Sequence, residues 1–236
     1  MSSHDPAVES LTCRLANGNP YLVASEVFIK DRTAAQIQNQ FICDKVFRGP
    51  QQTNNLALSP VSVAFAASLG LPSAYVMPTA QNLFDFVKFY AAYYKSGAGS
   101  GAPNAELRWR NAERIRFNME TKVNPRTDPD PIKGIPFANR TIAPEPFVNA
   151  VLVVLNKPEN PAYAGLVDIQ SFDFRTLLLV HEEAPSIRTV ALIGDFPKFA
   201  NPAIAGSDDG TNRQKWPSQG SIPSSQAYVS LSTYIL

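Results

Sequence analysis

The sequence predicts an α+β fold, in which a helix-rich N-terminal part packs on an antiparallel β-sandwich or jelly-roll-like sheet formed by the C-terminal part. Two observations lead to this prediction. Apolar residues recur at helical spacing before residue 95, and they recur at every second position in several segments after residue 104. Helices followed by a run of strands are typical of α+β proteins and not of alternating βαβ units.

Three helices are predicted in the N-terminal part, after a first strand at residues 21–30. Thr33 and Gln36 have the spacing of a capping box, in which the two side chains bond to backbone N–H groups of the first turn. The first helix is therefore expected to begin at this pair. Proline is favoured at the first position of a helix, so Pro60 predicts the start of the second. The third helix, at about 79–95, has the most aromatic face in the chain.

Seven strands are predicted in the C-terminal part, at 106–110, 114–123, 147–155, 166–174, 176–182, 187–193 and 227–235. The clearest is 114–123, where one side is polar and charged and the other is predicted to face the core. The residues of the predicted core side are Ile115, Phe117, Met119, Thr121 and Val123. Two stretches rich in proline, glycine and small polar residues, 124–146 and 194–225, are predicted as long loops.

The chain is predicted to form a single domain over residues 1–236. The segment 96–103, SGAGSGAP, has the composition of a flexible connector. It marks an alternative division into a helix-rich part, 1–95, and a β-rich part, 104–236. Because the aromatic helix before the connector has too many apolar residues to stand alone, we expect it to pack on the sheet.

The charge of the chain is nearly balanced, with 21 Lys and Arg against 20 Asp and Glu. Such a protein has no global attraction to nucleic acid or to an anionic membrane. The N-terminus lacks the basic and apolar regions of a secretion signal, and the longest apolar stretch, 56–77, is interrupted by prolines. We therefore expect a cytoplasmic or virion protein with no membrane partner.

Cys13 and Cys43 are the two cysteines of the chain, too few for a disulfide framework. A free cysteine behaves as a small hydrophobic residue. Two unpaired buried thiols are therefore expected, with a single bridge between them as the alternative.

Few residues of the chain are suited to catalysis. His181, at the end of a predicted strand and followed by Glu182, is the candidate for a general base in a pocket. The simpler interpretation is a half-exposed histidine at a strand end. The sequence contains none of the common nucleophile, zinc-binding or phosphate-loop motifs. No catalytic residue, metal or cofactor is predicted, and an enzyme is not expected.

The most charged part of the chain is residues 106–123, where four arginines occur within nine residues. Candidates for contacts with nucleic acid or with another subunit are Arg108, Trp109, Arg110, Arg114, Arg116 and Lys122. The five positive charges of this stretch face three glutamates, which leaves a net charge of two. A surface of salt bridges between neighbouring strands is therefore the simpler interpretation.

The composition favours a self-associating structural protein of the coat, capsid or occlusion type, such as a viral coat protein. The 20 prolines and many uncharged polar residues suit loops and arms between subunits, and near-zero net charge weakens repulsion between copies. The expected partner is the protein itself. One alternative is a nucleic-acid-binding protein that uses residues 108–122. The other is an enzyme or small-molecule binder with a pocket near His181.

Overall fold

The computed structural model describes residues 1, 6–10, 12–19, 21, 27–45, 54–123, 140–160 and 165–192. The chain divides into two compact units, Met1–Ile115 and Arg116–Leu236. Three predicted segments lie wholly or largely outside the described residues: the loops at 124–146 and 194–225, and the strand at 227–235.

The first unit begins with two small antiparallel sheets of two strands each. Strand β1 (Ala7–Val8) pairs with β3 (Val27–Phe28), and β2 (Arg14–Leu15) pairs with β4 (Phe41–Ile42). The first helix, α1 (Ala34–Gln40), lies between β3 and β4 in the chain.

The predicted capping box at the start of α1 is confirmed. The backbone N–H of Gln36 donates to Oγ1 of Thr33 at 3.2 Å, and the backbone N–H of Thr33 donates to Oε1 of Gln36 at 2.9 Å. One side of α1 packs on a small apolar cluster, in which Ile37 is buried together with Tyr21 and Phe41. The two rings of this cluster meet edge to face, with their centroids 5.1 Å apart. The capping box therefore sets the start of α1, and the apolar cluster holds one side of the helix against the rest of the unit.

Cys13 and Cys43 form a disulfide, so the expectation of two unpaired thiols is wrong. The register of β2 and β4, in which Arg14 faces Ile42, places the two cysteines directly opposite each other one position further along. Arg14 adds an ion pair across the same strands, because its Nη2 lies 2.8 Å from Oδ2 of Asp44. The thiols are 30 residues apart in sequence, and only the strand pairing brings them together.

Two further helices of the first unit lie where the sequence predicts them. Helix α2 (Pro60–Ser68) begins at the predicted proline, and it is followed by Gly70, whose φ of +64° is the left-handed conformation that favours glycine. Helix α3 (Ala80–Lys95) begins with a capping box formed by Thr79 and Asn82. A short 3₁₀ helix, Leu56–Leu58, precedes α2.

The predicted strand at 106–110 is wrong, because helix α4 (Ala105–Ala112) occupies these residues. Alanine, glutamate, leucine and arginine all favour a helix, and five residues are too few for a period of two to be decisive. Ala105 and Trp109, one helical turn apart, pack with Tyr94 of α3 in a single cluster.

The aromatic face of α3 packs against other helices of its own unit. Phe65 of α2 contacts Phe86 and Phe89, with ring centroids 5.2 and 5.4 Å apart, while Tyr94 packs against Ala105 of α4. The sequence led us to expect a sheet as the partner of this face, whereas α2 and α4 supply the partners that the structure describes.

The segment 96–103 forms hydrogen-bonded turns between α3 and α4. The backbone N–H of Gly97 donates to the carbonyl of Ala92 at 3.0 Å, and that of Gly99 donates to the carbonyl of Tyr93 at 3.1 Å. A Cβ atom at Gly99 would lie 2.4 Å from the ring of Tyr93. Glycine is therefore required there by close packing, and α3 and α4 are joined by a tight turn.

The second unit alternates strands and helices. Its elements are β5 (Phe117–Glu120), α5 (Pro144–Leu155), β6 (Val167–Ser171), α6 (Phe174–Glu183) and β7 (Arg188–Ala191). The three strands form a parallel sheet in the order β5-β6-β7. Both crossovers run in the same direction along the sheet, and such crossovers are right-handed, so the two helices lie on the same face.

The predicted antiparallel β-sandwich or jelly-roll-like sheet is therefore wrong. The described residues contain one three-stranded parallel sheet and two small antiparallel sheets, with no closed sandwich or barrel among them. The error comes from 147–155 and 176–182, which were predicted as strands and are α5 and α6. A short run of apolar and β-branched residues has no period that separates a strand from a buried helix.

The start signals of α5 and α6 were present in the sequence. Pro144 lies at the first turn of α5. Asp173 caps α6, because its Oδ1 accepts the backbone N–H of Arg175 at 3.0 Å. With helices at these two places, the strands at 166–174 and 187–193, which are confirmed over shorter spans as β6 and β7, become parallel neighbours.

The core of the second unit combines one face of the sheet with the inner sides of both helices. Its apolar members are Phe117, Val148, Leu152, Leu155, Val167, Ile169, Leu177 and Val180, all buried. Three buried side chains form a polar network at the ends of β5 and β6. Oγ1 of Thr121 lies 2.7 Å from Oγ1 of Thr176, and Oγ of Ser171 donates to the carbonyl of Thr121 at 2.5 Å. On the side of 114–123 that was predicted to be buried, Phe117 and Thr121 are buried, whereas Ile115, Met119 and Val123 are only partly buried. The strand itself is confirmed over a shorter span as β5.

Candidate functional site

Helix α4 carries the first three residues of the predicted interface, Arg108, Trp109 and Arg110. Successive side chains on a helix point about 100° apart, so these three do not form a ladder on one face. Arg114 lies in the turn that follows α4, whereas Arg116 and Lys122 belong to the second unit. The structure therefore groups part of the predicted site with α3 and assigns the rest to another unit.

Trp109 is in contact with two cations. Nζ of Lys95 lies 4.5 Å from the centroid of the indole, and Cζ of Arg110 lies 4.7 Å from it. Each cation also has a carboxylate partner: Lys95 pairs with Glu113 at 3.1 Å, and Arg110 pairs with Glu106 at 2.8 Å. Cation–π contacts compete with the stacking of a nucleic-acid base. The ring of Trp109 and the charges of Lys95 and Arg110 therefore already have partners within the first unit.

Arg108 is held by two phenols of α3. Its Nη1 donates to Oη of Tyr90 at 3.4 Å and to Oη of Tyr94 at 3.3 Å. Its Cζ lies 4.9 Å from the centroid of the Tyr94 ring. The hydrogen bond to Tyr90, followed by the charge interactions with both phenols, raises the pKa of Arg108 above its usual value. Arg108 is therefore a cation at neutral pH.

Arg116 contacts the neighbouring strand of the parallel sheet. Its Nη2 lies 3.6 Å from Oδ1 of Asp168 on β6, and the same carboxylate pairs with Arg188 on β7. Nδ2 of Asn118 donates to Oε1 of Gln170 at 2.7 Å on the same face. This arrangement agrees with the interpretation of the charged stretch as a surface of cross-strand ion pairs.

His181 lies in the last turn of α6 and not at the end of a strand. Its side chain is exposed, and the described residues contain no hydrogen bond between it and a carboxylate. The exposure of His181 agrees with the simpler interpretation of the sequence, but the strand end predicted there is wrong, because the residue belongs to a helix.

A surface that the sequence reasoning missed lies on the 3₁₀ helix Leu56–Leu58 and the outer side of α2. We call it the α2 surface, and it consists of Leu56, Leu58, Pro60, Val63 and Ala67, all exposed. Leu58 is 71% exposed, and Leu56 and Val63 are each 40% exposed. The available signal was the composition of α2, PVSVAFAAS, which contains no charged residue. A helix with so few polar residues is normally largely buried.

The described residues hold no group of three or more His, Cys, Asp and Glu side chains placed to bind a metal ion. None of the helices described above is long and apolar enough to cross a membrane. No protein family, curated protein or solved structure matches the chain. The surfaces themselves are therefore the basis on which a function is inferred.

Proposed function

We propose that this chain is a self-associating structural protein of the coat, capsid or occlusion type, and that the α2 surface forms a contact between copies. The exposure of an uncharged apolar helix is the observation that supports the proposal. Of the residues of α2, Val61 and Ala66 are buried within the chain, while Val63 and Ala67 are exposed. Contiguous exposed apolar surface is typical of interaction sites.

A second copy is the partner that best fits the chemistry of the α2 surface. An uncharged apolar surface is complementary to itself, so two copies related by a twofold axis can bury the same residues against each other. The formal net charge of +1 adds little repulsion between copies. Other helices of the unit differ, since α3 exposes Lys88 and Lys95.

The energy available at the α2 surface indicates a weak pairwise contact. Full burial of a leucine or valine side chain contributes about 1.5–3 kcal/mol, and Leu56, Leu58 and Val63 retain between 40% and 71% of their exposure. These three side chains supply about 3 kcal/mol per copy on that scale. Association costs about 4 kcal/mol or more, so stable assembly requires high concentration or several contacts per subunit.

The disulfide supports a virion over the cytoplasm as the place where the protein acts. Disulfides persist in oxidising environments and are rare in cytosolic proteins. The Cys13–Cys43 bond links two short strands of the first unit, and a particle outside a reducing cell would retain it.

Substitution of exposed leucines by lysine tests the α2 surface. We expect Leu58→Lys to shift the protein toward monomer, because the ammonium group would be buried in the contact between copies. The matched control is Leu107→Lys, since Leu107 is 59% exposed on the charged helix α4. Size-exclusion chromatography with light scattering over a concentration series measures the change. A wild-type protein that stays monomeric at the highest concentration, or equal effects of the two substitutions, contradicts the proposal.

A further inference from the structure

Arg108 differs from other arginines in the kind of group that holds it. Arginines paired with carboxylates are Arg14 with Asp44, Arg110 with Glu106, Arg116 and Arg188 with Asp168, and Arg175 with Asp173. Arg108 donates instead to the neutral hydroxyls of Tyr90 and Tyr94. Among the described residues, no carboxylate lies within ion-pair distance of it, so its positive charge is not compensated by a bonded anion.

The side chain of Arg108 is exposed, and contacts with two tyrosines orient it. Tyr90 and Tyr94 lie one turn apart on α3, their ring centroids are 4.8 Å apart, and Tyr94 is 5% exposed. The guanidinium stacks near the Tyr94 ring while it donates to both hydroxyls. An arginine that is already ordered loses less conformational entropy when it binds an anion.

The three side chains offer hydrogen-bond donors in excess of acceptors. Both bonds to the phenols come from Nη1 of Arg108, although a guanidinium has five N–H donors. Its Nε–H and Nη2–H groups donate to no described residue. Each phenol oxygen already accepts from Arg108, so its own O–H proton is available to a further acceptor. No described residue accepts from the hydroxyl of Tyr90 or Tyr94.

We propose that Arg108, Tyr90 and Tyr94 form a binding site for a single oxyanion, such as a phosphate or carboxylate group of a small ligand. The Nε and Nη2 groups of an arginine match two oxygens of such a group, and the phenol hydroxyls supply further donors. A longer polyanion fits less well, because Arg110 and Lys95 are already paired with carboxylates. This site lies on α3 and α4 and does not depend on self-association through the α2 surface.

Titration of the full chain with inorganic phosphate tests the site. The Nε–H resonance of Arg108 is followed by NMR while phosphate replaces chloride at constant ionic strength. We expect a saturable shift that Arg108→Gln abolishes. Tyr94→Phe keeps the ring and removes one donor, so it is expected to weaken binding about fivefold, the loss that corresponds to one hydrogen bond. Arg110→Gln, two positions along α4, is the matched control and should leave the affinity unchanged.

Three results would overturn the proposal. They are a shift of Arg108 that does not saturate, phosphate binding that survives Arg108→Gln, and equal losses in the Arg108→Gln and Arg110→Gln variants. Binding of a single-stranded oligonucleotide to the same variants is a second test. If it binds with steep salt dependence and both variants weaken it equally, then α4 carries a polyanion surface and the single-oxyanion site is rejected. If Arg110→Gln leaves phosphate binding and oligonucleotide binding unchanged, the proposal is supported.

Discussion

The two units are stabilised by different kinds of interaction. The N-terminal sheets of the first unit have strands of two residues each. A disulfide links the two chain segments of the β2–β4 pair, and its Cys13 belongs to a small apolar cluster. The second unit has a continuous parallel sheet with α5 and α6 on one face. A buried network of hydroxyl groups lies at the ends of strands β5 and β6. Strand pairs this short bury little surface, so a covalent bond beside one of them contributes much to its stability, whereas a parallel sheet covered by helices is stabilised by its own packing.

The largest expected effect of this difference is a selective response to reduction. The disulfide closes a loop with a sequence separation of 30 residues, for which a loss of about 3–4 kcal/mol is expected on the loop-entropy scale. A reductant, or the Cys13→Ala and Cys43→Ala double variant, should speed amide hydrogen exchange in β1–β4. Exchange in β6, which lies in the second unit, serves as the internal control. Equal acceleration in both units would show that they do not differ in this way.

A smaller effect is expected from the hydroxyl network of the second unit. Oγ1 of Thr176 also donates to the carbonyl of Asp173 at 2.8 Å. Thr176→Val therefore removes two hydrogen bonds and leaves the Thr121 hydroxyl without its partner, while the carbonyl of Asp173 still accepts the backbone N–H of residue 176. Unsatisfied buried groups cost about 1–3 kcal/mol each. Thr121→Val removes one bond and should cost less, about 1 kcal/mol. Urea unfolding measures both free energies, and the interpretation fails if Thr121→Val is the more destabilising of the two.

The smallest expected effect is a pH dependence of the first unit. Burial raises the pKa of the Tyr21 hydroxyl, which donates to the carbonyl of Val8 at 2.8 Å. The folded state therefore retains this proton to higher pH than the unfolded state. The stabilisation is complete below the unfolded pKa of about 10 and is lost as the pH rises through the folded value. Hydrogen exchange of β1 at high pH should show this loss, and Tyr21→Phe should remove it. A variant with the same pH dependence would exclude Tyr21 as its source.

The sequence predicted the helices whose start signals involve neighbouring residues. Thr33 with Gln36 and Pro60 gave correct starts because capping bonds and the fixed φ of proline act within one turn. Pro144 and Asp173 are similar signals, but the β-branched composition that follows Pro144 also favours a strand. A strand at that place predicts a run of strands and a sandwich, whereas a helix there gives the alternating order that the structure has.

The candidate surfaces were only partly predictable. The uncharged sequence of α2 was visible, but its exposure depends on what α3 covers. The charges of Arg108 and Arg110 were visible as well, whereas their partners, the phenols of α3 for one and Glu106 for the other, depend on helical geometry and on contacts between helices.

Composition and neighbours a few residues away were sufficient to give the balanced charge, the starts of α1 and α2, and the existence of strand β5. Tertiary structure alone decided the pairing of Cys13 with Cys43 and the parallel order of the sheet. Both depend on contacts between distant parts of the chain. The periodicity of a short segment does not specify which other segment it will pair with.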